Sequence, residues 1–535
     1  MAKRINKKAR QPTNQNKKIV NTGYSEGGAS HHRKSLAGYN PIKSSVKSDI
    51  DMNLPTLRNR SSDVVINTPI AASAINTSRT NVIGAGLKLS ARIKHNILGL
   101  SIEEAKKWSR HTMEEFDMWA MSKHCDLYQK NNFYDLQDIA YQSYLIDGDS
   151  WAAFKYRVPK SIDNPYSLKI QLFEASRVSN PSFSVINGLS PLTVEMKNHD
   201  NGNRIISGVE INDDGAVVAY WISNRVPYDL TDLNGLPTWQ RVEAFGRITG
   251  EPNILQISHE ERPEQYRGVP YLAPVIEVLK QVSRYSEAEL TSAIIKSFFT
   301  LFFTEGSAGG DLNNMLGETY SDIMLDPGDY ALGPGTLNLL PPGYDVKSVD
   351  AGRTLSTFEP FTNQLIKQIG AAIEQPYEVL MKSFNSSYSA SRAALLQAWS
   401  MYKVRRTWFS RDFCQPIYER WLTEAIAIGR IKAPGFYDDP LIRKAWCNAE
   451  WYGPVMGMID PVKDANGSYL RRLYGISTGE KEAAEMTGSN YDENIEILAQ
   501  EKAEAKNKGL ILPNDTKNRK GGEEDEDVLE NKESD

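Results

Sequence analysis

The sequence reads as an α+β protein with more than one folding unit, and three observations predict this. The chain has 535 residues, 40% hydrophobic and 24% charged, an ordinary globular composition but too long for a single core. Residues 262–303 place Leu272, Val275, Ile276, Leu279 and Val282, then Leu290, Ile294, Ile295, Phe298 and Phe299, at helical spacing. Alternating apolar runs separated by turn residues cluster instead between residues 151 and 258.

Residues 1–60 read as a disordered basic arm. Lys3, Arg4, Lys7, Lys8, Arg10, Lys17 and Lys18 all precede the first acid, Glu26. Such an arm is either a solvated tail or a surface for DNA or an acidic partner. From 61 to 89 the pattern is helical, with Ile70, Ala74, Ile75 and Thr77 in phase and a stop at Gly84 and Gly86. These glycines follow a helix and lack a third partner, so they are not a dinucleotide fingerprint. Residues 101–125 form the next predicted helix. Ser101 and Glu104 make a capping box, and Trp108, Phe116 and Trp119 share a face. His111, His124 and Cys125 match no metal-ligand spacing.

A helix over 135–146 should end at Asp147, Gly148 and Asp149, residues that suit a turn into a strand over 151–157. Strands follow at 168–178, 205–211, 216–222 and 254–258, with Asn212, Asp213, Asp214 and Gly215 marking a hairpin. The turn from Tyr266 to Pro270 opens the long helix, which at ~1.5 Å per residue would run roughly 50 Å. It reads as a core helix of a large domain, or as a strut whose apolar face neighbouring chains cover. Residues 304–356, rich in Gly, Pro and Asp, read as a small strand-and-turn insert before helix returns over 357–376. A short polar stretch, 384–391, leads into a helix rich in Trp and Arg over 391–426, with a kink expected at Pro416. Residues 460–508 are polar and helical, and 509–535 form an acidic disordered tail.

The net charge of −5 argues against a dedicated DNA-binding protein, so any contact with nucleic acid is local or weak. Cys125, Cys414 and Cys447 are too scattered for a disulfide framework and suit a reducing compartment. There is no secretory signal pattern, and the apolar run 294–303 is too short to span a bilayer and contains Lys296; a soluble intracellular protein with no membrane contact is expected. No phosphate-binding loop, nucleophile elbow, His-Glu-x-x-His or paired CxxC motif is present, and the seven histidines form no convincing pair. The expectation is a non-enzyme without metal or cofactor, a carboxylate-based nuclease being the enzymatic alternative.

Seven stretches, taken in order, resemble the lambda-type portal proteins of tailed bacteriophages: TPIAASAINTSRTNVIGAGL (68–87), DGDSWAAF (147–154), FEASRVSNP (173–181), GVEINDDGAVVAYWI (208–222), QYRGVPYLAPVIEVLKQVSRYSEAEL (265–290), SSYSASRAALLQAW (386–399) and GPVMGMIDPVKDA (453–465). The resemblance spans roughly residues 60–505. It implies a portal fold assembled as a ring, typically a dodecamer, at one capsid vertex. Double-stranded DNA would pass through its channel without sequence preference. Terminase large subunit, the major capsid or scaffold protein, and head-completion or tail adaptors would be its partners. It would assemble in the host cytoplasm and reside in the virion.

The same resemblance implies a wing at 61–265, one stem helix at 266–303, a clip at 304–356, a second stem helix at 357–376, a tunnel-loop region at 377–391, a long wing helix and its surroundings at 392–454, and a helical crown at 455–508. Lys382, Asn385, Ser386, Ser387, Tyr388 and Arg392 are the candidate DNA-channel residues, with Lys280, Arg284, Lys296 and Lys367 as weaker stem candidates. A mildly negative chain suits such a channel, because each neutralised phosphate adds affinity and would brake sliding DNA. A minor capsid protein or an adaptor that binds a portal is the competing non-enzyme reading, and it gives no reason for two helices flanking an insert.

Overall fold

The structure, a computed structural model, describes residues 28–29, 33–158, 164–181, 195–227, 237–297, 301–305, 344–348, 358–384, 387–457 and 461–510. Part of the expected disordered arm is structured. A 3-10 turn at Lys34–Leu36 and a π-helical turn at Lys47–Asp51 precede α1 (Leu54–Asn67), and Val46, Ile50 and Leu54 are buried. The lysines and arginines of residues 3–18 lie outside the described residues. The single helix expected from residue 61 is two, α1 and α2 (Pro69–Val82). Thr68 between them is extended, at φ −119° and ψ 115°, because the ring of Pro69 excludes the helical conformation from the residue before it.

β1 (Lys88–Ala91) follows the Gly84 and Gly86 turn, then come α3 (His95–Leu98), α4 (Ile102–Met121) and α5 (Phe133–Asp147). Both longer helices carry capping boxes, Ser101 with Glu104 and Asn132 with Asp135. β2 (Asp149–Tyr156) pairs with β3 (Leu168–Phe173), which stops short of the expected 178 and passes into a 3-10 turn at Ala175–Arg177. β4 (Glu195–Lys197), β5 (Arg204–Ile206), β6 (Val209–Ile211), β7 (Val217–Ser223) and β8 (Trp239–Glu243) form an antiparallel meander, while β9 (Ile254–Ser258) completes the order β3-β2-β9. The run 205–211 is therefore not one strand. Ser207 and Gly208 both take positive φ, 47° and 87°, the geometry of a tight hairpin turn. The hairpin at Asn212 to Gly215 forms as its residues predict, between β6 and β7.

The long helix is shorter than its apolar pattern suggested. A 3-10 turn at Ala273–Val275, built on Pro274, leads into α6 (Ile276–Ser297), about 33 Å at ~1.5 Å per residue. The β-favouring residues that follow instead form β10 (Leu301–Glu305), paired antiparallel with β11 (Tyr344–Ser348) across the insert. α7 (Phe358–Ala372), α8 (Tyr377–Met381), α9 (Tyr388–Phe409) and α10 (Gln415–Ala427) come next. The kink expected at Pro416 appears as a π-helical turn at Ser410–Cys414, where a wider turn absorbs the hydrogen bond that proline cannot donate. α11 (Pro440–Cys447) leads to β12 (Ala449–Tyr452), which pairs with β1; α12 (Pro461–Leu473), α13 (Gly479–Met486) and α14 (Tyr491–Asn507) end the described chain.

The core is aromatic and joins segments far apart in sequence. Phe116 of α4 meets Trp421 of α10 edge-on at 5.0 Å, and Phe133 of α5 stacks with Phe413 at 6.1 Å. All four are fully buried, each side chain contributing about 1.5–3 kcal/mol by leaving water. Arginine guanidinium groups of the Trp- and Arg-rich helices lie over aromatic rings: that of Arg406 is 5.7 Å from the Trp399 ring centre and that of Arg420 5.3 Å from that of Phe154.

A buried ionic hub sits where the turns after α5 and β3 meet the chain entering α6. Arg267 is 1% exposed and Asp149 is fully buried. Arg267 Nε donates to Asp149 Oδ2 at 2.6 Å; its Nη1 donates to the Val178 and Ser207 carbonyls and its Nη2 to the Ala175 carbonyl. Arg58 of α1 donates to the same carboxylate at 3.0 Å and to the Asp147 carbonyl at 2.8 Å. The two turns press together: a Cβ on Gly268 would lie 1.8 Å from the Gly148 carbonyl oxygen, and one on Gly148 would lie 2.4 Å from the Gly268 oxygen. Burial alone would raise the Asp149 carboxyl, yet Arg267 and Arg58 hold it below the ordinary carboxylate value. Burial pushes Asp51 and Asp147 beside it up to about 6.

Two outcomes follow. Arg267→Met should cost about 3–5 kcal/mol of stability, because it leaves a buried carboxylate with half its partners gone; denaturant melts of the folded chain measure this. Asp51 runs opposite to Asp149 in pH. Its folded value lies above the ordinary 3.8, so its ionisation penalty is absent below about pH 4 and full above about pH 6. Asp51→Asn should therefore raise the melting temperature at pH 8 and lose that advantage as the pH falls to about 4.

Candidate nucleic-acid interface

The channel candidates sit around the junction of α7, α8 and α9, and local chemistry sets that junction. Gly370 allows the chain to fold back on α7: Gln375 N donates to its carbonyl at 2.9 Å, where a Cβ would lie 2.4 Å from the Gln375 oxygen. Gln375 Nε2 donates to the Ala74 carbonyl at 3.0 Å, and Tyr271 donates to the Ile373 carbonyl. Arg405 lies over the Tyr271 ring at 4.3 Å. α8 is anchored on α2 by Ser73 Oγ, which donates to the Leu380 carbonyl at 2.7 Å.

Lys382 then closes α8 in the left-handed conformation, φ 53° and ψ 35°, with an exposed side chain. Ser387 starts α9 as its cap, accepting from Ala390 N at 3.4 Å. The connection between two helices is thus held at both ends. Asn385 and Ser386 lie outside the described residues, as does the side chain of Tyr388, whose backbone opens α9. Arg392, one turn into α9, donates to Asp464 Oδ1 of α12 at 3.1 Å and is 31% exposed. Its carboxylate partner, 72 residues away, left no local signal in the sequence.

α6 and α7 pack side by side through aromatics. Tyr285 stacks on Phe358 and meets Phe361 edge-on, both at 5.3 Å. The weaker candidates lie on these helices. Lys280 pairs with Asp63 of α1 at 3.4 Å, Arg284 is exposed, and the Lys367 ammonium sits 5.6 Å from the Tyr377 ring centre. Lys296 belongs to α6, but its side chain lies outside the described residues. Arg267, the most heavily hydrogen-bonded cation of the hub, went unmarked as a functional residue, although the glycines at 148 and 268 signalled two tight turns.

The chemistry available here is that of scattered cations and hydroxyls, which suits contact with a phosphate backbone and not base readout. Among the described residues no group of His, Cys, Asp or Glu could hold a metal ion, and no helix is long and apolar enough to cross a membrane. The strain at Lys382 is separable from its charge. Lys382→Gly should raise the melting temperature by relieving about 1 kcal/mol of left-handed strain, whereas Lys382→Ala should not; paired thermal melts distinguish the two.

Comparison with known proteins gives this junction a family. The profile described as "Phage portal protein, lambda family" matches residues 32–406. The portal protein of Escherichia phage N15 is 25% identical over 522 residues, covering 92% of each chain. Portal protein B of Escherichia phage lambda is 24% identical over 516 residues, covering 92% of this chain and 91% of that protein. Among solved structures, a chain from the neck of a native gene transfer agent particle aligns with TM-score 0.40 and 10% identity, covering 79% of this chain and 92% of that one. The matched stretch runs from the strap before α1, through the Asp149 and Arg267 hub, and into α9. This protein belongs to the lambda family of phage portal proteins.

Proposed function

We propose that the chain assembles as a ring, a dodecamer, at the unique vertex of a tailed-phage capsid and forms the channel through which double-stranded DNA is packaged and ejected. The observation that carries this reading is the family match over residues 32–406, together with relatives named as portal proteins that align over nearly their whole length. The ring reading is also supported by Leu290, Ile294 and Phe361, which α6 and α7 leave 63%, 48% and 52% exposed on a single chain. A neighbouring copy would cover them.

In this reading the wing is 61–265, α6 and α7 lie in the stem, the insert 304–356 is the clip that docks terminase and later head-completion or tail proteins, and the C-terminal helices form the crown. The chain acts by position and charge, without catalysis of its own. Contact with DNA is sparse and independent of sequence. Lys382 leads, supported by the polar connection up to Tyr388; Arg392 contributes only to the extent that Asp464 leaves its guanidinium available.

The native mass of the purified oligomer, read with negative-stain images of the same sample, tests the assembly. A ring of about twelve subunits with a central hole is expected, and a compact dimer or trimer without a hole would sink the proposal. The DNA contacts are tested in particles. Lys382→Ala combined with Arg392→Ala should slow packaging or ejection while rings still form, and unchanged packaging and ejection in both steps would remove this assignment.

A further inference from the structure

The three C-terminal helices attach to the rest of the chain without joining its main hydrophobic core. The main hydrophobic core draws on residues from Leu57 to Met456 and takes none from 461–510. Five ion pairs cross the seam among the described residues. Arg92 pairs with Glu480, Lys106 with Asp492 at 2.8 Å, Arg110 with Glu496 at 2.5 Å, Arg392 with Asp464 at 3.1 Å, and Lys403 with Glu485 at 3.5 Å. In each of the five the cation belongs to the body and the anion to the C-terminal helices. Each partner remains at least a quarter exposed.

We propose that α12, α13 and α14 form an electrostatic latch, closed on a basic face of the body at low ionic strength and released by salt. The cations come from three places in the body: Lys106 and Arg110 are one turn apart on α4, Arg392 and Lys403 are three turns apart on α9, and Arg92 follows β1. The latch is tied internally, so it moves as a unit. Arg471 makes a two-pronged pair with Glu482 at 2.8 and 2.6 Å, and Arg472 lies 5.6 Å from the Tyr491 ring centre. Exposed pairs of this kind are weak one by one and screened by salt. At about 1 M salt the screening length falls to ~3 Å, comparable with these contacts, so the exposed pairs weaken while the aromatic core is unaffected.

The test measures the distance between spin labels on Lys107→Cys in α4 and Gln500→Cys in α14. The three native cysteines are buried and stay unlabelled. Labelled chain is mixed with excess unlabelled chain, so distances within one copy are read whether or not copies associate. At low salt a single narrow distance is expected. At about 1 M NaCl the narrow component should fall to a minor fraction, with the far-ultraviolet signal of the fold unchanged. Lys106→Glu with Arg110→Glu should open the latch at low salt, and adding Asp492→Lys with Glu496→Lys should close it again. If the narrow distance persists in 1 M salt, the latch is held by something other than charge and the proposal fails. That salt series uses none of the charge-reversal variants, so it decides the matter even if those variants do not fold.

Discussion

The buried pair of Asp149 and Arg267 is the constraint on which the rest of the architecture depends. One guanidinium joins four parts of the chain: the turn after α5, the carbonyls at 175 and 178 after β3, the β5–β6 turn at Ser207, and the entry to α6. Arg58 brings in α1 through the same carboxylate. A buried ion pair is a poor source of net stability, since desolvation offsets most of the attraction. Its effect is on geometry. A carboxylate and a guanidinium that must satisfy each other without water permit one arrangement of the turns that carry them, and the mutual approach of Gly148 and Gly268 leaves no room for another.

This placement has consequences for the proposed channel. The direction in which α6 leaves the body is set by the hub at its base, while the fold-back at Gly370 and Gln375 sets where α8 begins. Lys382 and Ser387, the described ends of that connection, are therefore fixed by packed helices, which is what a short polar loop needs if it is to meet a moving polymer as proposed. The candidate cations divide into two kinds. Lys382 is exposed, whereas Arg392 and Lys280 are engaged with carboxylates of the same chain. A channel that lets DNA slide gains from cations that are few or already compensated, because free ones hold phosphates.

The two ends of the chain contrast in how they are held. The segment before α1 buries Val46 and Ile50 and adds ion pairs from Lys47 to Glu195 and from Asp49 to Arg262. The C-terminal helices add ion pairs without joining the main core. Apolar burial is insensitive to ionic strength on the scale that governs exposed charge pairs, so the two attachments respond to different conditions.

Much was legible in the residues themselves. The capping box at Ser101, the glycine stop at 84 and 86, and the hairpin at Asn212 to Gly215 rest on local chemistry, which a short stretch of chain decides alone. The order of seven motifs was enough to indicate the family. Where local rules compete, the structure departs from the period: the Thr68 break, the Ser207 and Gly208 turn and the strand at 301–305 each depend on one or two residues inside a longer periodic run. Only the tertiary structure decided that Arg267 and Arg58 share the carboxylate of Asp149, that Asp464 occupies Arg392, and that five acids of the C-terminal helices face five bases of the body. Charge carries no period and pairs across any sequence distance, so the partner of an ion is fixed by the fold and not by its neighbours in the chain.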